Sequence, residues 1–221
     1  MTLDIGLYAI VDPQIARGRS LADLAATAAR AGATLIQYRS KDAPTRVMID
    51  EATAIRAALA ATGVPLVIND RVDVALAAGA QGVHLGRDDM SVATARKLLG
   101  PRAIIGATIK DEADVRALTG APLDYGCIGG VFATAHKNNA DRPLGLAGYA
   151  ALRAYARRQL GACPVGAIAG IDIAQVPALF AAGADGVAMI GAVFASDDVT
   201  LRTRALRQAI DTARAHRGTA T

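Results

Sequence analysis

Three long polar side chains stand at alternate positions in Gln37-Tyr38-Arg39-Ser40-Lys41. Alternate residues of an extended chain share a face, so Gln37, Arg39 and Lys41 would point one way. Arginine brings a planar fork and lysine a compact charge, a combination suited to a phosphate or diphosphate. The plain alternative is a surface salt-bridge cluster with Asp42. Asn69-Asp70 and Asp89 form a second group. Two carboxylates beside phosphate-binding cations suggest Mg²⁺, which commonly takes one or two carboxylates and fills its shell with substrate oxygens and water. Alternatively, each carboxylate caps a following helix, and Asp88 reads as a capping or solvated residue. Thr134-Ala135-His136-Lys137 adds another cation and a histidine that is a ligand, a proton donor or a loop residue. His84, inside an apolar run, reads as a hydrogen-bonded core histidine. Gly170 and Ile190-Gly191 would let backbone N–H groups approach a second anion; ordinary turn glycines are the alternative.

The elements that must carry these residues follow from a recurring unit. Ala31-Gly32-Ala33, Ala78-Gly79-Ala80 and Ala182-Gly183-Ala184 each close an alanine-rich helical stretch and precede a short apolar run. Glycine ends a helix and lets the chain turn back. Helix then buried strand, repeated without hairpin signals, means βα units and a parallel sheet. Strands are expected near 6–11, 35–39, 66–69, 82–85, 104–108, 125–129, 165–168 and 186–189. Helices are expected near 21–30, 45–61, 72–78, 92–99, 112–118, 146–159, 175–182 and 201–215. Eight such units in 221 residues favour an α/β fold of the (β/α)₈ TIM-barrel type, one domain over 1–221. A doubly wound sheet is disfavoured, because no Gly-x-Gly-x-x-Gly follows the first strand. In such a barrel, chemistry belongs at the carboxyl ends of the strands. The polar segments above all fall there.

Composition narrows the function. With 52% hydrophobic and 20% charged residues the chain is too apolar for disorder. Only 4% of residues are aromatic, so the core is aliphatic. No apolar run approaches the ~18–20 residues of a membrane span, and Met1-Thr2-Leu3-Asp4 lacks signal-peptide zones, so a cytoplasmic protein is expected. Cys127 and Cys163 read as reduced, buried thiols. The net charge of +4 is mild. Arg202, Arg204, Arg207, Arg214 and Arg217 read as one solvated helical face without interleaved aromatics, which argues against nucleic acid or membrane as a partner. The expected partners are small phosphorylated substrates; self-association is left open.

Taken together, Gln37–Lys41, Val67–Ala75, Gly82–Asp89, Thr134–Lys137 and Gly183–Ala188 resemble thiamine phosphate synthases, over nearly the whole chain. The resemblance implies a (β/α)₈ enzyme, a transferase of thiamine biosynthesis. It would join hydroxymethylpyrimidine diphosphate to hydroxyethylthiazole phosphate, yielding thiamine phosphate and pyrophosphate. It further implies that Gln37, Arg39, Lys41, Asn69 and Lys137 contact the pyrimidine diphosphate, with Tyr38 and Ser40 in the same substrate-binding segment. Arg39, Lys41 and Lys137 would be the catalytic cations, and Asp70 and Asp89 the Mg²⁺ ligands. Thr134, Gly170, Ile190 and Gly191 would meet the thiazole phosphate. Four positions depart from the family: Thr108 stands for a serine and keeps its hydroxyl, Ala169 for a glycine, Gly191 for a serine, and His136 for a threonine in the thiazole-phosphate segment. Two other readings are a thiazole tautomerase-like isomerase on the same fold, which would need neither the paired carboxylates nor the cations, and a non-catalytic phosphate-binding barrel.

Overall fold

The computed structural model describes residues 3–133 and 142–218. Eight parallel strands close into a barrel in sequence order, β1 pairing with both β2 and β8. They are β1 (Leu7–Val11), β2 (Leu35–Tyr38), β3 (Leu66–Asn69), β4 (Gly82–Leu85), β5 (Ile104–Ile109), β6 (Tyr125–Ile128), β7 (Val165–Ile168) and β8 (Val187–Met189). The α-helices among the described residues are α1 (Pro13–Ala16), α2 (Leu21–Ala31), α3 (Thr45–Leu59), α4 (Val72–Ala78), α5 (Val92–Leu99), α6 (Glu112–Leu118), α7 (Gly145–Leu160), α8 (Val176–Ala181), α9 (Gly191–Phe194) and α10 (Val199–Gly218), with a 3-10 turn at Ile173–Gln175 leading into α8. The eight strands and eight long helices expected from the sequence are all present, most within two residues of their expected ends. The four-residue helices α1 and α9 are additions to that expectation. One turn leaves no room for a 3.6-residue period to show.

Alternation along each strand divides two layers. Leu7, Ala9 and Val11 face outward and pack with Ile36, Ile68 and the helices. Tyr8, Ile10, Leu35, Val67, Tyr125, Cys127 and Ala188 fill the barrel interior. Gly32, Gly79 and Gly183 of the recurring unit all take positive φ, which glycine tolerates and which reverses the chain from helix into strand.

The amino end of the barrel is sealed by a repeated device. Thr34, Gln81, Asp124 and Asp185 precede β2, β4, β6 and β8. Their side chains accept an N–H at the start of β1, β3, β5 and β7, from Leu7, Leu66, Ile105 and Val165 at 3.1, 2.8, 2.7 and 2.9 Å. A buried strand N–H left unpaired would be costly, so each βαβ unit carries its own acceptor. The basic stripe of α10 is less solvated than expected. Arg202, Arg207, Arg214 and Arg217 pair with Asp172, Asp211, Asp4 and Asp185.

Candidate active site

At the carboxyl ends of β2 to β4, the expected groups converge. Lys41 Nζ donates to Asp70 Oδ2, not to Asp42, whose carboxylate accepts from Gln14 Nε2 at 3.2 Å. Asp70 sits just past β3 with φ 61, a left-handed conformation that aspartate adopts more readily than most residues. Its N–H is held by His84 O at 2.8 Å. The cap position of α4 is Arg71, and no side chain caps that helix. Asp89 Oδ2 accepts the Gly86 N–H at 2.6 Å, and α5 is capped by Ser91 instead. Neither carboxylate therefore caps a helix. They come within hydrogen-bonding reach of each other.

Their protonation is split by their surroundings. Burial alone would raise the Asp70 pKa, but Lys41, the Asp89 hydrogen bond and the charge of Lys41 outweigh it and hold the group below the ordinary carboxylate value. Burial, and then the neighbouring Asp70, push Asp89 above that value, partly offset by the Gly86 N–H. Two hard oxygen donors kept together in this way suit a divalent cation, which would replace the strain of adjacent like charges. Among the described residues, no third His, Cys, Asp or Glu joins them. That pattern fits an ion that takes its remaining ligands from substrate and water.

Arg39 follows the inward alternation of β2 but does not stand free. Its guanidinium is tied to Asp12 at the end of β1. Asp12 also accepts Gln14 N at 2.9 Å as the cap of α1. Arg39 Nε is buried without a hydrogen-bond partner among the described residues. Asp12 escaped the sequence reading, although an aspartate ahead of Pro13 is a helix-start signal. Tyr38 is turned away from the other members of its segment. The period that brings Gln37 and Arg39 inward sends Tyr38 outward, where its hydroxyl donates to Glu51 of α3. Ser40 lies near that hydroxyl.

A cavity of about 460 Å³ opens at the ends of β5 to β7. Thr108, Gly129, Gly130, Phe132, Ile168 and Ala169 line it, with Arg87, Lys110 and Arg142 at its rim. Lys110 and Arg142 carry charge that the sequence reading did not assign. Arg87 is bracketed by Asp111 and Asp114. Ala169 and Gly170 both take positive φ, at 89° and 65°. A Cβ at Gly170 would lie 2.3 Å from Ala133 O, so glycine is required where the loops after β6 and β7 touch. Gly191 opens α9 behind Ile190, leaving first-turn N–H groups outside the helical ladder. Asn69 ends β3 beside His84. Thr134, His136 and Lys137 lie outside the described residues.

Comparison with known proteins joins these observations to one family. A sequence model of the family described as thiamine monophosphate synthase matches residues 7–193. A thiamine-phosphate synthase of Agrobacterium fabrum is 54% identical over 211 residues, covering 96% of each chain. One from Chloroflexus aurantiacus is 43% identical, covering 93% of this chain and 92% of its own. Among solved structures, a thiamine phosphate pyrophosphorylase from Pyrococcus furiosus superposes with a TM-score of 0.83 at 31% identity, covering 96% of this chain and 98% of that one. A 3-hexulose-6-phosphate synthase shares the fold alone, with a TM-score of 0.61 at 17% identity. By sequence and by fold, the chain belongs to the thiamine monophosphate synthase family.

Proposed function

We propose that this transferase couples hydroxymethylpyrimidine diphosphate with hydroxyethylthiazole phosphate, releasing pyrophosphate and thiamine phosphate. The observation that carries the reading is the Lys41–Asp70–Asp89 cluster at the same barrel mouth as a separate cavity floored by Gly129 and Gly130. Such a mouth can receive two phosphorylated molecules side by side. An isomerase that only moves a proton would have no use for paired carboxylates facing a lysine.

In this reading the diphosphate binds over β2 to β4. Lys41 and Arg39 neutralise charge on the departing pyrophosphate, with Lys137 expected to add a third cation. Asp12 keeps the Arg39 fork fixed, so little reorganisation is needed as charge develops. Asp70 and Asp89 would hold Mg²⁺. When bound, the ion supplies positive charge to the phosphate oxygens. As the carbon–oxygen bond to the diphosphate breaks, the aminopyrimidine ring bears the positive charge left on its methylene carbon. The thiazole nitrogen then supplies the electron pair for the new bond. No side-chain nucleophile is required. The thiazole phosphate is assigned to the β6–β8 side, on Gly170, Ile190 and Gly191, with Thr134 and His136. The same reading makes the protein cytoplasmic.

The test is a reconstitution of the purified protein with both substrates, with each alone, and with Mg²⁺ removed by chelation. Thiamine phosphate should form only in the complete mixture. Independently of turnover, Mg²⁺ with pyrophosphate should raise the melting temperature of the parent and leave Asp89→Asn nearly unmoved. An equal rise in both proteins would remove the metal assignment.

A further inference from the structure

Beneath the mouth, the barrel interior holds an unbroken line of polar groups drawn from five strands. Gln37 Nε2 on β2 donates to the hydroxyl of Tyr8 on β1. That hydroxyl lies 2.9 Å from Tyr125 Oη on β6. Tyr125 Oη lies 3.1 Å from Nδ1 of His84 on β4, and His84 Nε2 lies 3.0 Å from Thr108 Oγ1 on β5. Both tyrosines are at most 1% exposed. Their rings meet edge to face at 5.7 Å, and His84 lies 5.5 Å from Tyr125. Gly106 makes room for this, since a Cβ there would stand 2.0 Å from Tyr125 Cζ. The rest of the interior core is largely aliphatic. A wholly aliphatic plug would fill the space without the burden of satisfying every polar atom. The line also ends on Gln37 and Thr108, and Thr108 faces the cavity.

Hydrogen-bond bookkeeping gives the line a direction. Burial pushes both tyrosines well above their ordinary pKa, so both stay neutral. Each hydroxyl has one proton to give. With Gln37 donating to Tyr8, the Tyr8 proton goes to Tyr125 and the Tyr125 proton goes to His84 Nδ1. A neutral imidazole that accepts at Nδ1 carries its proton on Nε2 and donates it to Thr108. The Thr108 proton is then left for an acceptor in the cavity, and Gln37 keeps Oε1 as an acceptor that the line does not use.

We propose that Tyr8 and Tyr125 are positioning residues that fix the donor and acceptor polarity of the site, holding His84 in the Nε2–H tautomer so that Thr108 presents a donor and Gln37 an acceptor. The kinetic consequence rests on the synthase reading; the tautomer does not.

The two are measured separately. In full-length protein labelled with ¹⁵N-histidine, long-range proton–nitrogen correlation reports the tautomer of each ring, and His84→Asn assigns the signal. The parent should show His84 as Nε2–H, and Tyr125→Phe should admit the Nδ1–H form. In turnover, Tyr8→Phe should lower kcat by about 10–100-fold, the loss found when the groups that orient metal-binding side chains are removed. The KM for thiazole phosphate should stay within about twofold. A parent tautomer of Nδ1–H reverses the line and overturns the proposal, whether or not either variant folds. A Tyr8→Phe protein that melts lower with kcat unchanged also overturns it, because it leaves the tyrosines a purely structural role. A parent that makes no thiamine phosphate removes the synthase reading and leaves the tautomer measurement standing.

Discussion

Replacing Asp12 with asparagine should be among the most damaging single-atom-scale changes in this barrel. The Arg39 and Asp12 side chains are 10% and 6% exposed. The pair therefore belongs with buried ion pairs, not with exposed ones such as Arg71–Asp73 at 37% and 58%, which are worth about 0–1 kcal/mol. The substituted amide could keep its oxygen on the Gln14 N–H, preserving the cap of α1. Its NH₂ group would then face a guanidinium, donor against donor. Breaking a buried pair from one side costs about 3–5 kcal/mol, because the surviving charge is left uncompensated. For a chain of this size that is a melting-temperature fall of roughly 6–20 °C. Asp12→Asn with Arg39→Met should recover most of the loss, since a neutral buried pair carries no such penalty. Thermal and urea unfolding followed by circular dichroism reads both proteins. Pyrophosphate titration should show weakened binding in the single variant, whose arginine is no longer held. A single variant melting within about 2 °C of the parent, or a double variant no better than the single, would refute the argument.

Three further outcomes follow from one buried and two half-buried groups. Tyr149 Oη is buried without a hydrogen-bond partner among the described residues, so Tyr149→Phe should stabilise the fold by about 1–3 kcal/mol; a lower melting temperature would mean the hydroxyl has a partner. Asp185 serves both Val165 N–H at 2.9 Å and Arg153 at 2.7 Å. Asp185→Ala should cost at least about 2 kcal/mol while kcat of the folded protein holds, because the device lies at the end opposite the mouth. Burial pushes the Cys163 thiol from 9.0 up to about 11. With its proton held more tightly in the folded state, the contribution of this thiol to stability should be level below pH 9 and decline toward pH 11. Iodoacetamide at about pH 8 should label Cys163 far more slowly in native than in urea-unfolded protein; equal rates would contradict the burial.

The architecture was legible because its signal is repeated. Three Ala-Gly-Ala helix ends, each with an apolar run after it, state the same βα unit, and eight such units in the chain leave few ways to close. Lys41, Asp70 and Asp89 could be grouped by the rule that barrel chemistry gathers at strand carboxyl ends. Helix capping stayed an equal reading of the two carboxylates until Arg71 and Ser91 were seen to occupy the cap positions. The outward position of Tyr38 was legible, since the period-two argument that groups Gln37 with Arg39 already sets it on the other face. Asp12 and the Tyr8–Tyr125–His84 line were hidden for a different reason. Their partners lie 27 to 117 residues away in sequence, and only barrel closure sets β1 beside β2 and across from β6. An inward-facing tyrosine in an aliphatic strand was the available hint.

The most direct test of the central assignment is ³¹P NMR of a single reaction containing the protein, Mg²⁺ and both phosphorylated substrates. The diphosphate resonances should give way to the single resonance of pyrophosphate while thiamine phosphate grows in one for one. Persistence of the diphosphate signals while the thiazole phosphate is isomerised, or while nothing changes, would contradict the account.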